Sequence, residues 1–251
     1  SVGDPKRNAL SSNLNYRNGK LNFFNSSGWN DNLSPGGGYN NSEYYNGDEP
    51  NTFFEEDRQR ERSRSGYFLN NGIEWYLSDN TSIVGSFFYN KADSENVQNN
   101  FINQVDSFGG DILNQTIQTE NEISNDFNRE YNFNYETNFD DTGQKLTVDL
   151  QFDNSEDYEN GDVLRDNELD EVINTKEESN SYLIKADYVY PIGDNKQFEA
   201  GIRISEDDNI TDYKVFDPVV PEVPDPDQSN IFLCMRCKIY FGSAFIRYPI
   251  I

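Results

Sequence analysis

The sequence predicts an all-β chain of antiparallel up-and-down hairpins, and three observations carry that prediction. The first is a clean period of two. From Phe127 to Phe139 the odd positions read Phe127, Arg129, Tyr131, Phe133, Tyr135, Thr137 and Phe139, and every even position between them is Asn or Glu. Alternation of that length marks a strand with one apolar and one polar face. The second is recurrence: the same strand–turn–strand unit is met four times in 251 residues, with turns near 18–19, 78–80, 140–143 and 191–195. The third is composition. Hydrophobic residues make up only 34%, yet aromatics reach 14%, with 16 Tyr and 18 Phe, which sets the chain apart from disordered sequences poor in both.

Taken in order, the first unit alternates through Leu10, Ser12, Leu14 and Tyr16 to the tight turn Asn18-Gly19, then resumes at Leu21 and Phe23. The second runs Tyr67, Leu69, Ile73, Trp75 and Leu77 to Ser78-Asp79-Asn80, then Ile83, Phe87 and Tyr89. The third follows the Phe127–Phe139 strand with a turn at Asp140-Asp141-Thr142-Gly143. It continues with Leu146, Val148, Leu150 and Phe152 against Lys145, Thr147, Asp149, Gln151 and Asp153. The fourth runs Tyr182, Ile184, Ala186, Tyr188 and Tyr190 to Pro191-Ile192-Gly193-Asp194-Asn195, then Phe198, Ala200, Ile202 and Ile204. Each break holds the Asn, Asp, Gly, Ser or Pro that hairpin turns use. On the other side the units are joined by polar stretches of about 30–64, 91–122, 154–178 and 206–229, expected as long loops, with a short helical turn conceivable over Asp166–Glu178.

Three features favour a transmembrane β-barrel over a soluble sandwich. Thirteen residues span roughly 40 Å, and at a tilt of about 45° this covers the hydrocarbon core, about 30 Å thick, whereas soluble strands average about 5–6 residues. Tight turns at one end and long connections at the other are the asymmetry of outer-membrane barrels. Aromatics fall in two groups, Tyr16, Trp75, Phe139, Tyr188 and Tyr190 by the short turns, and Trp29, Tyr67, Tyr89, Phe127, Phe152 and Tyr182 towards the far ends. Two such rings make interfacial girdles. The fold expected is therefore an antiparallel up-and-down transmembrane β-barrel segment of about eight to nine strands, with short periplasmic turns and long extracellular loops. Its candidate lipid-facing and girdle residues are Tyr16, Trp75, Phe127, Tyr131, Phe133, Tyr135, Phe139, Leu146, Val148, Leu150, Phe152, Tyr182, Ile184, Tyr188, Tyr190, Phe198 and Ile202. The second reading is a secreted β-rich binding or adhesion module with acidic loops.

Charge and rare residues narrow the chemistry. With 20 Lys+Arg against 45 Asp+Glu, the formal charge of −25 argues against a nucleic-acid partner. There is no His, which removes His-ligated zinc and Ser-His-Asp or Cys-His catalysis. No run of 18 apolar residues exists for a transmembrane helix. Acidic clusters such as Asp153-Asn154-Ser155-Glu156-Asp157 lack EF-hand spacing and read as solvated charge. No catalytic, cofactor-binding or metal residue is singled out, and nothing argues for an enzyme. Arg58, Arg60, Arg62 and Arg64 form the one basic patch, expected at the foot of a long loop. They would pair there with Glu55, Glu56, Asp57 and Glu61, or meet lipopolysaccharide phosphates.

Residues 1–217 thus read as the barrel segment, 218–229 as a Pro-rich acidic loop, and 230–251 as an anomalous tail. The tail holds both Cys, the one Met, three basic residues and no acid. Cys234-Met235-Arg236-Cys237 lacks the second ligand pair of a zinc site and the βαβ context of a redox motif. It reads as a further strand at 230–232 and 239–243, or as a corrupted end.

The units at 66–90, 129–153 and 181–205 resemble barrels of the TonB-dependent receptor type, and most nearly the outer membrane protein beta-barrel family of Bacteroidetes. The likeness covers residues 8–217 and rests on pattern and turn phrasing. It implies the Gram-negative outer membrane, capture or passage of a nutrient, and a periplasmic plug preceding a barrel of about 22 strands. The partners implied are outer-membrane lipid, the missing strands and plug of the full-length chain, and a TonB-type energy-coupling protein. No stretch resembles a plug or a TonB box, so energised uptake is not read from these residues. The long loops and the missing start favour a middle slice of a larger barrel over a complete small one. An open slice has two unpaired edges, which missing strands or other chains must complete.

Overall fold

The computed structural model describes residues 4–45, 47, 51–193, 196–218, 224, 229–241 and 245–247. They form one antiparallel sheet: β1 (Arg7–Asn18), β2 (Leu21–Tyr44), β3 (Thr52–Ser78), β4 (Thr81–Val105), β5 (Ile112–Asn138), β6 (Lys145–Arg165), β7 (Glu168–Pro191), β8 (Gln197–Phe216), β9 (Asn230–Phe241) and β10 (Phe245–Arg247). From β1 to β8 the order in space is the order in the chain. β9 pairs with β8 through Tyr213↔Asn230 to Ile202↔Phe241, and β10 follows along the same edge against Gln197–Glu199. The sheet is open, its ends being β1 on one side and β9 with β10 on the other.

The short turns form where the residues dictate. Gly19 (φ 58°), Gly143 (φ 98°) and Gly193 (φ 65°) occupy left-handed conformations that a side chain disfavours. Asp140 closes its turn by accepting a hydrogen bond from the Thr142 backbone N–H at 3.0 Å. The Thr142 hydroxyl, which donates to the same oxygen, holds the Asp140 carboxyl below its ordinary value. Asp194 and Asn195 of the fourth turn lie outside the described residues, as do 219–223 and 225–228 of the Pro-rich stretch and 242–244 and 248–251 of the tail.

The polar connections are where the structure departs from expectation. Over most of their described length the first three are strand, not loop: β2 and β3 pair as far as Tyr44↔Thr52, β4 and β5 as far as Val105↔Ile112, and β6 and β7 as far as Arg165↔Glu168, the last two ladders each with a bulge near the tip. Here both faces of the sheet are wet, so no hydrophobic period marks the strands, while the backbone ladder continues all the same. Strands reach 27 residues in β3 and β5, about 90 Å of extended chain. The helical turn conceivable over Asp166–Glu178 is also strand. Asp166 (φ 50°) and Asn167 (φ 69°) form a two-residue hairpin turn, and Val172, Ile173 and Thr175 suit the strand that follows.

The register slopes across the sheet. One row of paired residues runs from Asn18 and Leu21 through Trp75, Ile83, Tyr135, Val148 and Ala186 to Ile202. It begins at the first short turn, yet on β7 it lies five residues above the turn at Pro191. With the short turns at one level, that slope over six strands tilts the strands by about 30°.

No second layer packs on the sheet: among the described residues each strand touches only its ladder neighbours. Among the described residues the buried apolar ones are Ala92, Val105 and Val215, and no large side chain is fully buried.

Candidate membrane belt and polar wall

The register gathers the expected residues onto one face. Tyr131, Phe133, Tyr135 and Thr137 on β5 face Phe152, Leu150, Val148 and Leu146 on β6. These in turn face Tyr182, Ile184, Ala186 and Tyr188 on β7, and Ile184, Ala186, Tyr188 and Tyr190 face Ile204, Ile202, Ala200 and Phe198 on β8. Phe127 extends the same face at its far side, and Phe139 lies just past the end of β5 against Tyr188, ring centroids 6.4 Å apart. On the other flank Trp75 pairs with Leu21 and Ile83, and Tyr16 with Phe23. All seventeen share this face. It is solvent-accessible: Tyr16 is 60% exposed, Trp75 50% and Ile184 48%.

Aromatics edge this face on two levels. Phe87, Tyr131, Phe152 and Tyr182 form an unbroken row across four strands, with centroids 4.9, 6.0 and 4.9 Å apart. Tyr188 and Tyr190, 6.5 Å apart, mark the lower level with Trp75 and Tyr16. Tyr182 and Tyr190 are eight residues apart on β7, about 26 Å along the strand and about 23 Å in height at the tilt above. The upper row lies in mid-strand, not near the strand ends as the sequence suggested, because the strands continue beyond it.

The opposite face is a polar wall closed by cross-strand hydrogen bonds. Asn134 donates to Asp149 at 2.6 Å, Ser181 to Asp207 at 2.7 Å, and the Ser94 and Ser124 hydroxyls share a bond at 2.6 Å. Two glycines on this wall seat aromatics. A Cβ on Gly72 would overlap the Phe24 ring and one on Gly28 the Phe68 ring, so both aromatics rest on bare backbone within this wall.

Arg58, Arg60, Arg62 and Arg64 stand in mid-strand on this same polar face, not at a loop foot and not on the apolar side. Arg58 pairs with Glu56 at 2.9 Å and Arg64 reaches across β4 to Asp126 at 2.7 Å. Further across, Asp157 and Glu159 are held above the ordinary carboxylate range, first by burial and then by acidic neighbours, Asp126 for the one and Glu122, Asp157 and Glu177 for the other.

Sequence reading missed how this wall is organised. Arg64 and Asp126 are 62 residues apart, and only the register makes them neighbours. The belt also includes Leu10, Leu14, Leu21, Phe23 and Ile73, which belong by the same period of two.

A single-layer, tilted antiparallel sheet with an exposed apolar belt between aromatic rows defines a class: the wall of a membrane β-barrel. Comparison with known proteins names the kind. Residues 137–236, from the end of β5 to the middle of β9, match the outer membrane protein beta-barrel family. The chain is a segment of a Gram-negative outer-membrane β-barrel. Among solved structures it is similar to the ferric yersiniabactin uptake receptor FyuA from Yersinia pestis, with 10% identity and a TM-score of 0.41 over 95% of this chain. The chain spans 42% of that receptor. No curated protein matches it.

Proposed function

We propose that the chain is part of a receptor or transporter of TonB-dependent-receptor type, in which a nutrient is captured or passed along the polar wall. The single observation that carries this is a broad exposed apolar face on a sheet with no core and no covering layer. A soluble domain buries such a face against another element, and patches of this size on a surface mark a partner or a membrane. Here lipid is the partner, and the seventeen belt and girdle residues, Tyr16 to Ile202, contact it. The membrane-spanning segments are then about 10–16, 21–29, 67–77, 81–89, 129–137, 145–153, 182–190 and 197–205.

The short turns face the periplasm, and the strand extensions beyond the upper aromatic row stand outside the cell as a rigid collar. Residues 1–217 make the barrel segment, with Asn230–Phe241 as its next strand after the Pro-rich stretch. Unpaired backbone at β1 and β9 is costly in lipid, so further strands of the full-length protein complete the ring, and its plug and a TonB-type protein supply gating and energy.

Spin labels in the full-length protein in outer-membrane vesicles test this reading. Labels at Tyr131→Cys and Leu150→Cys are expected to report a lipid environment, and those at Asn132→Cys and Gln151→Cys water. Water at the first pair, or recovery of the protein outside the outer-membrane fraction, would sink the proposal.

A further inference from the structure

The geometry points to an oxyanion site on the polar wall beyond the belt, where Arg58 and Arg60 stand over the bare backbone of Gly36 and Gly38. It rests on the reading of that wall as the inner surface of the barrel. β2 carries three consecutive glycines in mid-strand, Gly36, Gly37 and Gly38, opposite Arg60, Gln59 and Arg58. Glycine weakens a strand interior, so each one calls for a reason. Gly37 has one in the fold itself, since a Cβ there would press on the Arg58 carbonyl oxygen. Gly36 and Gly38 have none. At Gly38 nothing lies within 4 Å of where a Cβ would stand, and at Gly36 the nearest atom is Arg60 Nη2 at 3.7 Å. The space beside Gly38 is a cavity of about 250 Å³, lined also by Gly37, Asn40, Glu56, Arg58, Arg60 and Gln98.

The charges around it are unevenly matched. Arg58 is paired with Glu56 and Arg64 with Asp126, but Arg60 makes no hydrogen bond or ion pair among the described residues. The acid that the register brings nearest, Glu120, is engaged by the side-chain amides of Gln98 at 3.3 Å and Gln118 at 2.8 Å. An unpaired guanidinium above a floor without side chains offers a planar fork of donors to a carboxylate, sulfate or phosphate. Arg58, two residues along the same face and about 7 Å away at Cα, divides its donors between Glu56 and the anion. A second cavity of about 620 Å³ shares Asn40 and Glu56 and is lined by Tyr44, Phe54 and Ile102, room for an apolar body attached to the acid.

The test titrates the full-length protein in nanodiscs with inorganic sulfate, inorganic phosphate, 4-phenylbutyrate and its uncharged counterpart 4-phenyl-1-butanol. The acid is expected to bind at least tenfold tighter than the alcohol. Arg60→Gln should weaken acid binding at least tenfold. Gly38→Val should abolish it while leaving the folded, heat-modifiable barrel intact and its thermal midpoint no lower, because the added methyls enter open space. A tighter fit for 4-phenylbutyrate than for the inorganic ions assigns the oxyanion to an organic molecule, and equal affinity assigns it to a free ion. An alcohol that binds as well as the acid, or binding indifferent to Arg60→Gln and Gly38→Val, overturns the site. These titrations read the cavity directly, so failure there leaves the membrane reading standing, and failure of the labels leaves the cavity to be judged on its own.

Discussion

Each long strand has two halves that share one ladder but not one sequence logic. In the belt half of β5, Tyr131, Phe133 and Tyr135 alternate with Asn132, Asn134 and Glu136, and the two faces meet different solvents. In the distal half, Gln115 to Ser124 carries polar residues on both faces, with Ile117 and Ile123 as isolated exceptions. Backbone pairing is continuous through both. A strand is thus carried outward by its neighbours' hydrogen bonds and by cross-strand pairs such as Thr119 to Asn99 at 2.8 Å and Gln115 to Asn103 at 2.8 Å, well past the point where hydrophobic contrast ends.

Substitutions should separate the halves. The largest effect is expected for Val148→Arg at the middle of the belt, which should cost about 2–4 kcal/mol, against within about 0.5 kcal/mol for Ile123→Arg on the same face of the distal half. Denaturant titration of the full-length barrel refolded into vesicles checks both, and equal costs would erase the distinction. Next comes glycine. Gly72→Val must displace the Phe24 ring and should cost about 1–3 kcal/mol, whereas at the distal Gly38 a Cβ has open space around it and Gly38→Val should be neutral or stabilising by the same titration.

Smaller still are the charges of the distal wall. Arg64→Gln removes its half-exposed pair with Asp126 and should cost only about 0.2–1 kcal/mol, with the loss shrinking as salt rises. For Asp157 and Glu159 the folded state raises the carboxyl above its ordinary value, so the folded chain binds protons more readily than the unfolded one. Their charged forms therefore weigh against folding at neutral pH, and that burden lifts as pH falls through the folded value towards the ordinary carboxylate range. Protection factors of distal β5 and β6 amides, with the intrinsic pH dependence of exchange divided out, should rise on mild acidification, and Glu159→Gln should flatten the response. Unchanged protection in the parent would show that the repulsion is screened.

These contrasts also explain what could be read from the residues alone. The four hairpins and their apolar face were legible because alternation and turn chemistry are local: Asn18-Gly19 and Asp140–Gly143 announce turns, and Leu146 to Phe152 announces a face. The distal strands were not, since Asp166–Glu178 and the Arg58–Arg64 stretch have no apolar period to show and hide behind their charge. The Asp166-Asn167 turn was readable in principle, as both residue types tolerate the left-handed conformation it needs. The polar wall was out of reach, because partners such as Arg64 and Asp126 meet only through a register that summed over two strand pairings.

The plain meander from β1 to β8 sets an order of construction. From β1 to β7 every strand's partners are its neighbours in the chain, so each hairpin can be laid against the one before it as soon as it is made. A sheet grown this way keeps one bare rim fixed at β1 while the other moves forward along the chain with each new strand, so the rim that has waited longest for a partner is the first one made.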